Sequence, residues 1–588
     1  LRRARLSQLL CLWTGAFLLT FSFQRGLIAS EAQAHERSKL EKSLISEALD
    51  ELGLTEEQNP RGKTIESIEL HTVDVFDERD PVPDWLNVLH STSQERVILR
   101  ELLQGQGEAY DPAKIEETER NLRALRQLSL ANIVAARGSS PDRVRLIVIT
   151  KDVWSLRLNS DLAFGATGVE RLLLNPSEEN LFGTHISFGL LYQYERYRHT
   201  FGARIIYPRI GGSRFRTAAE SRVYVDRETG NTEGTSGVFT YSLPLFSRYS
   251  RWGMSTSLEW FAAPTRFTSK NELIEVPISV DGTEYTVPWY YQEQRLLGEL
   301  SGTRSFGINR KFNLRAGVEV DERRYRADQL SGNPDLQRAY EQSKNVPVSD
   351  VQLRPFVSFT LNEAKFLRVV NFESMGFQED IRVGYSVTLS TWVASQAVGS
   401  TRDIWGVSAA LGYARPLGNG LISARVSHST ALGNDSKDDA VFAAGFRFAS
   451  PWLGIGRVHF DVDMALRYQN YRRVAPYFLG GNTRLRGYPS NYLDGPTELA
   501  ANLEFRSASV DVLSAQLGLA CFYDVGDATS DLSHWKAHHG IGTGIRLVFP
   551  QAERQVLRAD WGFPIGDSAL AAWPGSFFVT FGQAFGLP

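Results

Sequence analysis

From about Val153 to Phe585 the chain alternates apolar and polar residues in short runs, as in 184-THISFGLLYQYERY-197, 234-GTSGVFTYSLPLF-246, 404-IWGVSAALGYARPL-417 and 575-GSFFVTFGQAF-585. A period of two puts successive side chains on opposite faces of a strand. A long series of such runs, separated by turns, predicts a transmembrane antiparallel β-barrel. Parsed run by run, the segment holds about 20 strands. Longer polar insertions near residues 263–289 and 324–350 predict extracellular loops.

Ahead of Val153 the pattern is mixed. A strand, 65-IESIELHTVDVF-76, precedes two helical stretches, 93-SQERVILRELL-103 and 111-DPAKIEETERNLRAL-125. In the second, Asp111 suits the N-cap and Pro112 the first helical position, while Ile115, Leu122 and Leu125 mark the buried face. Two strands follow, 130-LANIVAAR-137 and 143-RVRLIVITKD-152, joined by the turn-rich 138-GSSPD-142. Within residues 35–62, Leu40, Leu44, Ala48 and Leu52 recur every fourth position, so 38-SKLEKSLISEALDELGL-54 predicts a short amphipathic helix, before a linker at 57-EQNPRGK-63. Two roles stay open for it: a helical spacer, or a plug or docking helix.

At the start of the chain, Arg2, Arg3 and Arg5 stand before an apolar run from about Leu9 to Phe23, and 32-AQA-34 supplies the small residues that a signal peptidase requires. This predicts a secretory signal over 1–34, cut before His35. A membrane anchor is the competing reading, but the run falls short of roughly 20 residues and Arg25 follows it. With the signal removed only Cys521 remains, which closes no intrachain disulfide. No later apolar run is long enough for a membrane helix, so a membrane-spanning mature chain must be a closed barrel. The net charge of −3 and pI near 6.4 exclude the overall basic excess that favours nucleic-acid binding.

The period of two also sorts the late strands. Leu499, Leu503 and Phe505 take one face of 498-ELAANLEFR-506, and Asn502, Glu504 and Arg506 the other. In 516-QLGLACFYDVGDA-528, Leu517, Leu519, Cys521 and Tyr523 face outward, turning Phe522, Asp524 and Gly526 inward. Arg546, Arg558 and Asp560 fall on inward positions of the next two strands. Against this mixed charged wall stands a loop of unusual content, 480-GGNTRLRGYPS-490. A guanidinium leaving water needs paired carboxylates, and this wall offers them. Spacing alone leaves two readings level: a loop folded into the barrel, with Arg486 on a wall carboxylate and Gly487 and Tyr488 shaping its tip, or a surface loop with incidental arginines.

Several motifs resemble one family. The sequence 485-LRGY-488, preceded by 477-YFLGG-481, resembles the [VI]RG[FY] motif in the sixth extracellular loop of the BamA/TamA superfamily, with Leu485 in place of Val or Ile. The run 522-FYDVG-526 is similar to the F-x-D-x-G motif that this superfamily carries on the strand facing that loop. Further similarities lie at 178-EENLFGT-184, 502-NLEFR-506 and the closing 581-FGQAF-585. The strand-helix-helix-strand-strand order over 64–152, with 101-ELLQGQGEAYDPAKIEETERNLRAL-125, resembles a POTRA domain. Residues 35–62 are too few for a second one.

The resemblance implies a signal peptide (1–34), a helical spacer and linker (35–63), one periplasmic α+β POTRA domain (64–152) and a surface-antigen-type barrel of 16 strands (153–588). It decides the loop in favour of folding inward, with Arg486 paired to Asp524. It makes strands near 154–164 and 575–585 a seam that opens sideways, with Gly582 able to kink the closing strand and Phe585 its terminal aromatic. The function implied is assembly or insertion of β-barrel proteins, or protein translocation, in a Gram-negative-type outer membrane. The partners implied are unfolded outer-membrane or exported clients, membrane lipid and periplasmic accessory proteins. The alternative is a two-partner-secretion-type transporter passing one exported protein through the lumen; such transporters typically carry two POTRA domains and a plug helix. No catalytic role is expected: the hydrolase-fused relatives need a G-x-S-x-G elbow, which is missing from this chain. No cofactor or metal is expected either, since His538 and His539 are too few as ligands and fit a solvated loop. Tyr and Trp at strand ends fit interface girdles.

Overall fold

The computed structural model describes residues 39–76, 87, 90–165, 168–327, 333–434, 437–482, 484–570 and 573–584. The predicted signal with its cleavage point before His35, and Phe585, lie outside these residues.

Strands from Leu156–Gly165 to Ser576–Phe581 pair in chain order and close into one antiparallel barrel. Two strands are interrupted: Asp350–Glu363 resumes as Lys365–Val370, and Thr497–Ser507 resumes as Val510–Val512. The barrel therefore has 20 strands, which corrects the 16 implied by resemblance. The run-by-run alternation had the better number because each run reports its own pleat, whereas a family's strand number does not bind an individual chain. Barrel diameter grows with strand number, and the added width is used here: the lumen holds a folded loop from one end and a bent ribbon from the other.

Alternation carries through to burial. Leu503, Leu519, Cys521 and Tyr523 are exposed on the outside, while Asn502, Glu504, Arg506, Phe522 and Asp524 are buried inside. The outer wall presents Leu158, Leu190, Phe201, Leu258, Leu300 and Ile545 to the surroundings, among many other large apolar side chains. No helix among the described residues is long and apolar enough to cross a membrane.

The N-terminal region is small. Thr64–Val73 lies parallel to Arg143–Asp152, which pairs antiparallel with Leu128–Arg137. One face of this sheet packs the Pro112–Arg123 helix, whose start is fixed by the Asp111 carboxylate accepting from the Ala113 N–H at 2.9 Å. Ile115 and Leu122 join Ile65, Leu128, Ile133 and Val148 in that core. The opposite face packs the Lys39–Glu51 helix through Leu44, Ile45, Ala48 and Leu49, against Leu130, Val134, Ile147 and Ile149. Burying such side chains contributes roughly 1.5–3 kcal/mol each, which holds this helix on the sheet. The expected POTRA domain is corrected as well: the region is a short one, a three-stranded sheet whose Glu95–Leu99 helix has only five residues, and no POTRA domain is evident in it. Element order in a sequence does not by itself specify a domain's packing.

Ion pairs fasten this region to the adjoining barrel mouth, here called inner. Arg248 Nε meets Glu117 at 2.5 Å, Arg123 meets Asp380 at 2.8 Å, and Arg157 meets Glu553 at 3.2 Å. A buried joint adds to them: the Ser93 N–H donates to Asp152 at 2.6 Å, and Ser93 Oγ lies 2.7 Å from Nε2 of His185, in the turn before the Ile186–Glu195 strand. Burial pushes the His185 imidazole down to about 4, because desolvation disfavours its charged form. At the outer mouth, the hairpin Glu275–Val280/Thr283–Pro288 and the Pro334–Gln342 helix share an apolar core around Trp289 and Tyr340.

Candidate functional site: an arginine-centred loop inside the barrel

The loop between the Gly456–Asn470 and Thr497–Ser507 strands begins and ends in a two-stranded stem, Tyr477–Leu479 against Leu493–Gly495. Residues between the stem strands turn into the lumen. Gly487 makes the close approach possible: its φ is +104°, and a Cβ there would stand 2.6 Å from the Phe563 nitrogen and 2.9 Å from the Gly562 carbonyl carbon. Only glycine adopts that backbone at that separation without strain.

Arg486 is fully buried. Its guanidinium grips Asp524 with Nε at 2.9 Å and Nη2 at 3.0 Å, while its backbone N–H donates to the same carboxylate at 3.0 Å. Nη1 donates to Glu504 at 2.6 Å and Asp560 at 3.3 Å, and the guanidinium carbon sits 3.5 Å from the Phe522 ring centroid. Three strands thus converge on one cation. The carboxylates have further partners: Asn502 donates to Asp524 (2.8 Å), Arg506 to Glu504 (2.8 Å), and Arg546 and Arg558 to Asp560 (2.5 and 2.9 Å). Arg558 also donates to the Asn482 carbonyl at 3.1 Å. A buried charge network is tolerable only when its members are paired and hydrogen-bonded, and the planar fork of arginine matches carboxylate geometry in a way lysine cannot.

The tip bridges the two ends of the barrel. The Gly487 carbonyl accepts from Trp573 Nε1 at 2.9 Å and the Tyr488 carbonyl from Ser576 Oγ at 3.1 Å, while Ser490 Oγ donates to Glu170 at 2.8 Å. Tyr488 is buried with Leu485 and Leu570. Gly526 sits against Ala500, two residues along the strand from Asp524.

Between those ends lies the seam. The closing strand Ser576–Phe581 meets the first strand, Leu156–Gly165, at three residue pairs: Phe577 with Phe164, Phe578 with Ala163, and Val579 with Leu162. Elsewhere two barrel strands share as many as fifteen pairs. The closing strand stops at Gly582, whose φ is +92°. Gln583 then points to the lumen, where it accepts from Arg546 Nε at 3.2 Å and donates to the Glu373 carbonyl at 3.1 Å. Pairing across the seam ends at Leu162 with Val579, and residues 156–161 of the first strand have no backbone partner across it among the described residues. Behind the seam opens a cavity of about 360 Å³, bounded by Ala163, Phe578, Glu170, Arg171, Arg266 and Asn491.

Sequence reasoning named Arg486, Asp524, Phe522, Glu504, Arg506, Arg546, Arg558 and Asp560, and the structure brings all eight into one connected cluster. It gave no role to Arg484, which pairs with Asp461 and, at 2.7 Å, with Asp463. The signal was available: 459-HFDVD-463 puts both aspartates on the inward parity. No group of His, Cys, Asp and Glu suited to a metal ion occurs among the described residues. His538 lies 5.9 Å ring to ring from Tyr488, and His539 hydrogen-bonds Tyr523 at 2.6 Å.

No family model matches the chain, and no curated protein matches it. Its structural neighbours include BamA from Haemophilus ducreyi lacking POTRA domains 1–3 (12% identity, TM-score 0.35, covering 94% of this chain and 95% of that one). They also include CdiB from Acinetobacter baumannii (12%, 0.42, 89% and 74%) and CdiB from Escherichia coli (11%, 0.42, 90% and 80%). At these scores the likeness assigns no activity.

Proposed function

We propose that this protein is an outer-membrane barrel of the BamA/TamA type, which inserts other barrel proteins or translocates exported ones through its seam. The single observation that carries this is the seam: three backbone pairs, which end at Val579 two residues before the closing strand itself stops, where the other neighbouring barrel strands share six to fifteen pairs. In lipid, unpaired strand groups lack water to bond with, so an exposed edge such as residues 156–161 favours pairing with an incoming strand. The arginine-held loop supports the same reading, because it ties the last turn to the second strand and so sets how far the two ends can part.

The apolar outer wall fits a bilayer, with the N-terminal region on the periplasmic side. The partners are unfolded outer-membrane or exported proteins. No energy source is needed, since pairing and burial in lipid drive insertion. The test is depletion of the protein, followed by quantitative proteomics of outer-membrane and secreted fractions. Loss of several unrelated barrels supports insertion. Loss of one large secreted protein, with the membrane otherwise unchanged, would overturn insertion in favour of dedicated secretion.

A further inference from the structure

At the inner mouth a two-stranded ribbon overruns the barrel wall. Lys365–Val370 pairs only with the start of the Gln378–Ala394 strand, from Lys365 with Val383 to Val370 with Gln378. The strand on one side stops at Arg310, opposite Glu363, and the strand on the other side joins only at Gly384, opposite Ala414. Gly384, with φ of +93°, marks where the ribbon leaves the wall.

The turn at its end has a built shape. The Glu379 carboxylate accepts from the backbone N–H groups of Phe372, Glu373 and Ser374, each at 3.0 Å, and from Ser374 Oγ at 2.7 Å. This turn reaches across the mouth to the far wall. Arg457 stacks 4.9 Å from the Phe372 ring, Arg506 donates to the Phe372 carbonyl at 3.5 Å, and Met375 and Phe377 bury against Val548 and Val556. On its other side the ribbon is held by the N-terminal region. Arg123 grips Asp380 at 2.8 and 3.1 Å, Arg368 meets Glu119 at 3.3 Å, and Gln378 donates to Glu41 at 2.6 Å.

We infer that ribbon 365–383 is a hinged floor that shuts the lumen at the inner mouth, with Gly384 as the hinge and the Arg123–Asp380 pair as the catch by which the N-terminal region releases it. The floor touches the lumen cluster through Arg506 and the closing strand through Gln583, so its release loosens the seam end as well. The inference goes beyond client handling and stands without it, since a closed floor is a statement about the pore.

Ion conductance of the purified full chain in planar bilayers tests it. In one variant Asn-Gly replaces residues 371–377, a two-residue turn that suits a hairpin; another is Glu379→Ala. Folding is checked by heat-modifiable gel mobility. Both folded variants should conduct severalfold more than the native protein, with Asp380→Ala in between. Folded variants as closed as the native protein, or a native protein that already conducts as they do, would overturn the inference. As a check independent of the deletion, Met375→Cys in a Cys521→Ser background is treated with a water-soluble maleimide. Slow labelling that Asp380→Ala accelerates supports the floor; rapid labelling with or without Asp380→Ala refutes it.

Discussion

Replacing Arg486 with alanine removes four side-chain hydrogen bonds, two to Asp524 and one each to Glu504 and Asp560. The losses are unequal. Glu504 keeps Arg506 at 2.8 Å and Arg546 at 3.3 Å, and Asp560 keeps Arg546 and Arg558. Among the described residues Asp524 keeps only neutral donors, the Asn502 amide and the backbone N–H of residue 486. One buried carboxylate is therefore left without a cation, and breaking a buried pair from one side costs about 3–5 kcal/mol. With the backbone donor retained, the lower end, about 3 kcal/mol, is expected. Arg486→Lys keeps the charge but forfeits the fork and should cost roughly 1.5–3 kcal/mol, the worth of a charge-assisted hydrogen bond. Asp524→Asn in the alanine background removes the orphaned charge and should restore most of the loss. Urea unfolding in lipid vesicles, followed by tryptophan fluorescence, measures all three. An Arg486→Ala protein within about 0.5 kcal/mol of native, the range of an ordinary surface substitution, or a double variant no better than the single one, refutes the cage.

Other expectations follow from the same geometry. Gly562→Ala places a Cβ 2.8 Å from the Gly487 nitrogen and should cost about 1–3 kcal/mol by overpacking, with protease sensitivity appearing in residues 480–492. Arg484→Ala should cost only about 1 kcal/mol, since Asp461 retains Arg447 at 2.7 Å; a loss as large as that of Arg486→Ala would mean the two arginines form one unit. His185 is held neutral, with its pKa lowered to about 4 from an unfolded value near 6.5. Its contribution is complete above the unfolded value and is lost as pH falls from about 6.5 to 4, at most roughly 3 kcal/mol. Amide protection factors at residues 90–94 and 182–185, corrected for the intrinsic pH dependence of exchange, should fall between pH 7.5 and 4.5, and in His185→Gln the fall should be much smaller.

The sequence made the inward charges legible because a barrel strand's period of two sorts Glu504 from Leu503 and Asp524 from Tyr523 without any knowledge of neighbours. Strand number was legible for the same reason, and was misjudged where resemblance replaced the alternation. What crosses the lumen left no such trace. The contact of Met375 with Val548, or of Gln583 with Glu373, joins elements separated by more than 150 residues whose local patterns look like ordinary turns. Likewise, the face on which the Lys39–Glu51 helix packs depends on the second apolar face of a three-stranded sheet, and the Leu130, Val134, Ile147 and Ile149 positions that form it alternate with a core that is equally apolar.

The most direct measurement of the central claim is a reversible lock on the seam. Ala163 and Phe578 face each other across it, and opposed antiparallel residues stand about 4.5–5.5 Å apart at Cα, within disulfide reach. Ala163→Cys with Phe578→Cys, in a Cys521→Ser background, is expressed in depleted cells. The account predicts that the oxidised protein folds and reaches the membrane but fails to restore the lost outer-membrane or secreted proteins, and that mild reductant restores them. Full restoration by the locked form would contradict passage through the seam.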